Sequence, residues 1–570
     1  MRCKKYKIEL LFFLLVLVFT AVLTYPTWLH ISEGIYGKPD SDQPGSAYFT
    51  WWLQFTAQHH LDPKALWISA PWGWDQAFIW WQPLWFYLVR FLGYFLNHFS
   101  TLNILLLLSF PLTFLTSYVL VYECCKDKLS SLIASFIFTF CPYHVERAQI
   151  HFSLAHIEFL PLAILSLLKL VEKPTPPRAL LCGFSFILVA SSDFYYGYFM
   201  VLFALFFFMI RVFARWISWK EVKGYMIASL TFTIVCGVFY RDQLKALLFR
   251  APYEKTLRVG LYERNFQDLF QYSVKPLDYF LPYIDNPFFG GIASFFRQSP
   301  MFGYNKIEFY TEHIVFIGFT TLILAFFGIR IFKRENKRLF LIFVLSGLFF
   351  LCTSFAPYWK FEAFTLYFPS YFLYKLMPII RSYGRIGILF QFIVVVFVAF
   401  GIKKLLLGKS SIKKIIFSTV VLSLITIEFI NIPPFHFLGF DHVPEVYPWL
   451  RKQPGDFSIA EYPLGDISDV DQYIIIYQPI HQKKLLNFCV RGSEACHVIQ
   501  KLHDLNNPDT FRYLRTLGVE YIVYRFRNNN VQELSSLKTQ KGLQLIFSCD
   551  NEYIWLFKIV AQPKDIKELL

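Results

Sequence analysis

Charge is scarce in this sequence. Only 17% of its 570 residues are Asp, Glu, Lys or Arg, where a soluble domain usually carries about 25%. That shortage excludes an ordinary soluble globular chain. The ten cysteines form no Cys-x-x-Cys pair with metal-site spacing, so most read as small apolar residues. No small-residue cleavage site follows the first apolar run, which argues against a removed signal peptide. There is no internal repeat and no low-complexity linker. What is abundant is apolar and aromatic: 55% hydrophobic residues, with 67 Phe and 34 Tyr, and a mean hydropathy of +0.42. Together these describe a polytopic membrane protein with aromatic belts. The formal net charge is +15. The basic residues sit in short clusters between apolar runs, so they report topology, and no nucleic-acid partner is expected.

The chain opens with Arg2, Lys4, Lys5 and Lys7 before an apolar run from Ile8 to Tyr25. This reads as an uncleaved first helix with its N-terminus in the cytoplasm. The run Phe78–Leu96 carries Arg90 and, nearby, Trp74, Trp80, Trp81 and Trp85. If it spans, every later loop changes side. If it lies flat on the surface, all the basic clusters fall inside: Lys126 and Lys128; Lys173 and Arg178; Arg211, Arg215, Lys220 and Lys223; Arg330 to Arg338; Lys403 to Lys414. The flat reading is therefore preferred. The remaining spans are expected near 102–121, 129–141, 154–171, 178–192, 195–213, 224–240, 312–330, 339–355, 385–402 and 415–432. With the first helix that makes about eleven in the plasma (inner) membrane. The first loop (26–100), a loop from Arg241 to Thr311, the stretch Ala356–Gly384 and the C-terminal tail face outward.

Residues 1–432 thus form the predicted membrane domain, and 433–570 read as a small α/β domain outside it. In the tail, candidate strands are Phe457–Tyr462, Tyr473–Tyr477, Lys484–Val490, Val519–Tyr524, Leu543–Phe547 and Tyr553–Lys558. Candidate helices are Ser493–Leu505 and Asp509–Leu517. Cys489 and Cys496 are a candidate disulfide pair if the tail is outside.

With this topology the polar clusters gather at outward helix ends. The first loop opens with Gly37-Lys-Pro-Asp-Ser-Asp-Gln-Pro-Gly, which places Asp40 and Asp42 in a turn before an aromatic helix from about Ser46 to His60 that carries Trp51 and Trp52. Carboxylates at a bilayer surface can act as general base or cation ligand; a solvated turn is the plain alternative. Cys141-Pro-Tyr-His-Val-Glu-Arg-Ala-Gln-Ile-His151 crowds His144, Glu146, His151, His156 and Glu158 into fifteen positions. These suit substrate contact, a divalent cation or a polar interfacial loop, and His151 and Glu158 would share a face if one helix held both. Asp193, in Ser191-Ser-Asp-Phe-Tyr-Tyr196, is either functional or a helix cap. Glu308 and Glu312 mark the outer end of a later span. Arg381 and Arg385 flank Ser-Tyr-Gly at a helix start, a pattern that suits a phosphate clamp or two snorkelling arginines.

The order of these features resembles the GT-C superfamily of membrane glycosyltransferases, in its large bacterial branch. The matching stretches are Asp40-Ser-Asp42; Phe140-Cys-Pro-Tyr-His with His151 and Leu160-Pro161; Asp193-Phe-Tyr-Tyr196; and Pro378-Ile-Ile-Arg-Ser-Tyr-Gly-Arg385. The chain departs from the pattern at two places: no Asn stands between the acidic motif and the Trp pair, and Gln82 lies near the place of a flat-segment His. The resemblance implies an inverting hexosyl- or pentosyltransferase that takes its sugar from a polyprenyl-phosphate donor at the outer face and passes it to an acceptor, in contact with membrane lipid. It implies Asp40 or Asp42 as the base. Substrate contacts are expected from Trp51, Trp52, Asp75, His144, His151, Glu158, Asp193, Tyr195, Arg381 and Arg385, with a divalent cation as an optional cofactor. The rivals are a lipid or polysaccharide transporter or flippase and a non-catalytic membrane scaffold.

Overall fold

The computed structural model describes residues 7–38, 40–73, 82–249, 264–299, 310–432, 436–440, 443–464, 473–489, 493–525, 531–549 and 553–566. Each of the eleven expected spans is a helix. In chain order these are α1 (Lys7–Leu23), then, after the loop helices α2 (Gln43–Gln58) and α3 (Pro83–Leu92), α4 (His98–Cys125) and α5 (Lys128–Thr139). The short α6 (Pro142–Ile150) and α7 (Phe152–Ala155) precede α8 (Phe159–Glu172), α9 (Pro176–Ser192), α10 (Phe194–Phe213) and α11 (Trp219–Phe239). Helices at Phe319–Glu335, Lys337–Ser354, Gly387–Leu406 and Ser411–Phe429 complete the set. Among the described residues, five segments are long and apolar enough to cross a membrane: α4, α10, α11, Lys337–Ser354 and Tyr383–Leu406. The other helices are shorter or carry more charge.

Local chemistry sets several of the starts. The side chains of Asn97, Asp127, Ser218 and Asn336 each accept a hydrogen bond from a backbone N–H in the first turn of the helix that follows. Such caps satisfy donors that the helix itself leaves unpaired. The expected span 154–171 begins only at Phe159, because the chain breaks at His156 to Glu158 between α7 and α8. His151 and Glu158 therefore do not share a helical face. The flat segment is a ten-residue helix, α3, which buries Trp85 and Val89 while leaving Tyr87 and Phe91 60% exposed. It is about half of the ~20 residues a crossing requires; residues 74–81 lie outside the described residues.

The helix Gly387–Leu406 runs through the middle of the molecule, nearly buried along its whole length. It packs on Phe319–Glu335 through facing glycines. A Cβ on Gly401 would stand 1.9 Å from the Leu324 carbonyl oxygen, and one on Gly328 would stand 1.9 Å from that of Phe397. Small residues permit this close backbone approach where lipid gives no hydrophobic drive between helices. Arg385 stands in the turn just before the N-terminal end of this central helix.

A hairpin of β2 (Tyr358–Lys360) and β3 (Thr365–Tyr367) follows the helix Lys337–Ser354, and in the tail five further strands form a sheet in the order Lys484–Leu485, Ser458–Tyr462, Val519–Arg525, Ile554–Ile559, Leu543–Cys549. The strands are β5 (Ser458–Tyr462), β6 (Lys484–Leu485), β7 (Val519–Arg525), β8 (Leu543–Cys549) and β9 (Ile554–Ile559). β5 pairs in parallel with β6 and β7, whereas β9 is antiparallel to β7 and β8. Two expected strands differ. Tyr473–Ile476 is a helical turn, packed against the first loop. The stretch from Lys484 pairs over only two residues, because Phe488 turns to φ 68° and Asn487 spends its side chain on the backbone of Glu461. Residues of the first loop pair with the other edge of that stretch: Leu485 N–H donates to the Trp67 carbonyl, and Ala70 and Ser69 donate to Leu485 and Asn487. The expected disulfide joins Cys489 to Cys496, with Cα atoms 4.9 Å apart. One sheet face, with Ile459, Val523 and Leu556, joins the core of the membrane helices. The other, with Ala460, Ile522 and Phe557, covers its own core with helices Glu494–Lys501 and Pro508–Thr516. A second tie is the ladder of β1 (Gly34–Tyr36) with β4 (Phe437–Gly439).

Candidate active site

The site begins with how the first loop is held. After β1, the chain lays Gly37, Lys38 and residues 40–43 along the C-terminal end of α6. The N–H groups of Lys38 and Asp42 donate to the carbonyls of Gln149 and Ile150 at 2.9 and 3.1 Å, and the Gln43 amide donates to the Ala148 carbonyl at 2.8 Å. These are carbonyls that a helix end leaves without partners. Lys38 Nζ adds bonds of 2.8 and 2.9 Å to the buried carboxylate of Glu146. Gly37 has φ 148°, and a Cβ there would meet the Gln149 oxygen at 2.7 Å, so a side chain is excluded.

This docking delivers Asp42, the N-terminal cap residue of α2, to His151. The break between α6 and α7 leaves His151 extended, with its Nδ1 2.7 Å from Asp42 Oδ2. The Asp42 side chain remains 63% exposed, while that of His151 is 21% exposed. Asp40 sits in the same turn, exposed to solvent.

Behind this pair lies a buried charge cluster. Glu312 Oε1 is 3.8 Å from His151 Nε2. The same carboxylate accepts bonds from Arg147 (2.9 and 3.2 Å) and from Arg385 (2.6 Å at the closest). Both guanidiniums also lie over aromatic rings: Arg147 is 5.0 Å from the centre of Tyr143, and Arg385 is 4.8 Å from that of Tyr195. Next to them Arg381 donates to Asp268 at 3.1 Å and covers Tyr272, with Arg264 close enough to feel its charge. Asp193 caps α10 through the Tyr196 N–H at 3.2 Å and accepts the Ser153 hydroxyl at 2.8 Å.

Electrostatics follow from this crowding. Burial pushes the Glu312 carboxyl up, yet Arg147 and Arg385 hold it well below the usual carboxylate range. Burial acts to lower the His151 pKa, but the neighbouring Asp42 and Glu312 raise it on balance. Burial raises Asp193, only partly countered by Ser153 and Arg385. The result is a wall of four arginines against two carboxylates, with one solvent-facing Asp–His pair at its edge. Such a wall can bind an anion beside a base.

Of the expected residues, the structure brings together Asp42, His151, Asp193, Tyr195 and Arg385, with Arg381 adjacent. Trp51 and Trp52 are buried on α2 more than two turns beyond Asp42. Trp52 donates its indole N–H to the Pro63 carbonyl, and Trp51 stacks on Phe55, so both pack the loop to its base. His144 is fully buried between the Thr139 carbonyl and Ser109, and burial pushes its pKa down to about 4. Glu158 is buried against His156, 2.9 Å away, under the ring of Trp85. Asp75 and Glu308 lie outside the described residues. Among the described residues no three of His, Cys, Asp and Glu are grouped to hold a metal ion, and no step below is routed through one. Two central members, Arg147 and Glu312, were not among the expected substrate contacts. Arg147 stands inside the His-rich stretch, where an arginine next to apolar runs reads equally as a snorkelling residue. Glu312 is 165 positions away from it, and only the fold joins them.

Residues 48–427 match the family model described as a domain of unknown function, DUF6311. No curated protein sequence matches the chain. Among solved structures, the mycobacterial arabinofuranosyltransferase AftD aligns with a TM-score of 0.63 at 14% identity, over 98% of this chain and 40% of that one. A mutant of the same enzyme gives 0.59 at 14% identity, over 98% and 42%. The Archaeoglobus fulgidus oligosaccharyltransferase AglB gives 0.49 at 11% identity, over 91% and 70%. The chain thus spans about two fifths of the length of the AftD chains it resembles. The likeness to AftD is one of fold, and it is the polytopic GT-C fold that the order of the motifs implied. The family match covers most of the chain, and this protein belongs to the DUF6311 family.

Proposed function

We propose that this protein is an inverting glycosyltransferase that moves a sugar from a polyprenyl-phosphate donor to an acceptor hydroxyl at the outer face of the plasma membrane. The observation that carries the reading is the exposed Asp42 carboxylate, fixed by His151 at 2.7 Å beside a buried arginine cluster at the end of the central helix. The shared fold with an arabinofuranosyltransferase adds support. In this reading the acceptor oxygen attacks the anomeric carbon and its proton passes to Asp42. The bond from that carbon to the phosphate oxygen breaks, and its electron pair leaves with the polyprenyl phosphate. Arg381 and Arg385 face the phosphate and stabilise the charge that gathers there. Glu312 keeps Arg385 and Arg147 oriented before substrate arrives. His151 holds Asp42 at the correct angle.

The test is sugar transfer by the purified protein from a radiolabelled polyprenyl-phosphate sugar. Asp42→Asn is expected to lower turnover by about 10²–10⁴, the usual worth of a general base, with donor binding kept. Arg381→Ala is expected to weaken donor binding. Wild-type turnover in Asp42→Asn would remove Asp42 from the mechanism.

A further inference from the structure

A groove of about 450 Å³ opens between α8, α9, α10 and α11. Its walls are apolar: Leu167 on α8, Phe186 on α9, Phe208 on α10 and Phe232 on α11 are representative. At about 30 Å³ for each water-sized group, there is room for on the order of 15 methylenes. The groove is open along the side, where Met226 and Leu205 on its rim are 63% and 54% exposed.

Its two ends differ. Toward Asp193 it is sealed. A Cβ on Gly197 would stand 2.7 Å from Cα of Ala190, and the Tyr240 hydroxyl donates to the Ala190 carbonyl at 2.5 Å, so α9, α10 and α11 close on one another. Toward the other end the lining reaches Val222 and Tyr225, in the first turns of α11. The Tyr225 hydroxyl is buried there with no hydrogen-bond partner among the described residues. Just beyond it stand Arg215, Lys220 and Lys223, all exposed. Lys223 precedes Met226 by three residues and so shares its lipid-facing stripe. The nearby acid, Glu221, is already paired with Arg211 at 2.5 Å.

We propose that this groove is a binding site for one anionic phospholipid. The acyl chain lies along the apolar walls, the Tyr225 hydroxyl donates to an ester carbonyl, and the phosphate rests against Lys220 and Lys223. The sealed end beside Asp193 separates it from the donor: a polyprenyl chain in this groove would have its phosphate at the end opposite the arginine cluster. The inference stands on the groove and its basic rim, independently of the transfer reaction.

The test uses the full chain in nanodiscs, with a phosphatidylglycerol carrying a diazirine in its acyl chain, followed by peptide mass spectrometry. Labelling of α9–α11 is expected to exceed that by the matching phosphatidylcholine by on the order of tenfold, from two lysines near the surface. Lys220→Gln with Lys223→Gln should abolish that preference. Ser229→Phe, at an exposed position on the lining, should block labelling of the groove while leaving labelling of the exposed face of α1 unchanged. Equal labelling by the two lipids, or no effect of Ser229→Phe, would mean ordinary surrounding lipid and overturn the proposal. Competition by undecaprenyl phosphate at equimolar level would overturn it as well, in favour of the donor.

Discussion

At the residue scale, His151 ties the exposed carboxylate to the buried cluster. The Asp42–His151 contact is strongest when the imidazole is charged. The folded pKa of His151 is raised above its ordinary value of 6.5 by Asp42 and Glu312, against the opposing effect of burial. A raised pKa adds stability that is fully present below about 6.5 and is lost as pH climbs through the folded value. The gap in Tm between wild type and His151→Gln should therefore be widest in mildly acidic buffer and close toward alkaline pH. A gap that does not change with pH would show that the ring contributes packing alone. Sequence made Asp42, His151 and Arg385 visible because each stands in a short polar motif between apolar runs. It could not rank Asp40 against Asp42, since two residues in one turn differ only by which of them the α6 carbonyls aim at His151. Trp51 and Trp52 are ambiguous in sequence for a related reason: aromatic rings suited to a sugar are equally suited to the base of a loop, and both are buried in this fold.

At the scale of elements, hydropathy and caps made the eleven helices legible, because a lipid-exposed backbone must satisfy its hydrogen bonds within the helix. Short turns were not legible. The break from His156 to Glu158 depends on tertiary contacts, among them Trp85, which stacks on His156 and donates to the Ser192 carbonyl. The central helix also places the cluster, since Arg385 lies just before its start at Gly387. Its seat depends on Gly328 and Gly401, where a Cβ would lie 1.9 Å from a neighbouring carbonyl oxygen. No rotamer relieves a clash with backbone, so the helices would have to separate. Gly401→Val is expected to abolish folded, monodisperse protein in detergent, as read by size-exclusion chromatography, whereas Gly237→Ala, whose Cβ would meet open space on α11, should not. Normal elution of Gly401→Val would mean that the two helices need no such close approach.

At the scale of the whole molecule, the one-sided distribution of Lys and Arg predicts which side of the membrane each loop occupies. Cysteines introduced at Asn506 and Lys409, both exposed, offer a check in intact cells with native thiols blocked. An impermeant reagent should label the first and not the second, and the reverse pattern would invert the topology and move Asp42 to the cytoplasmic side. The tail raises a separate question, because its alternating strands read as a free-standing domain while its sheet is shared. β6 contributes only Lys484 and Leu485 to the ladder, and its outer side is completed by Trp67 and Ala70 of the first loop. Ile459, Val523 and Leu556 bury one sheet face in the core of the membrane helices, and β4 pairs with β1. Cut from the rest, residues 443–566 would expose that face and an unpaired edge, both routes to association. The tail expressed alone is therefore expected to aggregate or show broad amide exchange. Restoring solubility by polar substitution at Ile459, Val523 and Leu556 should yield a folded fragment, because the buried residues of the second core under helices Glu494–Lys501 and Pro508–Thr516 all belong to the tail, with Trp72 of the first loop packed only at its margin. A stable, monomeric wild-type tail would show instead that the contact with the first loop only positions the domain against that loop and adds nothing to its folding.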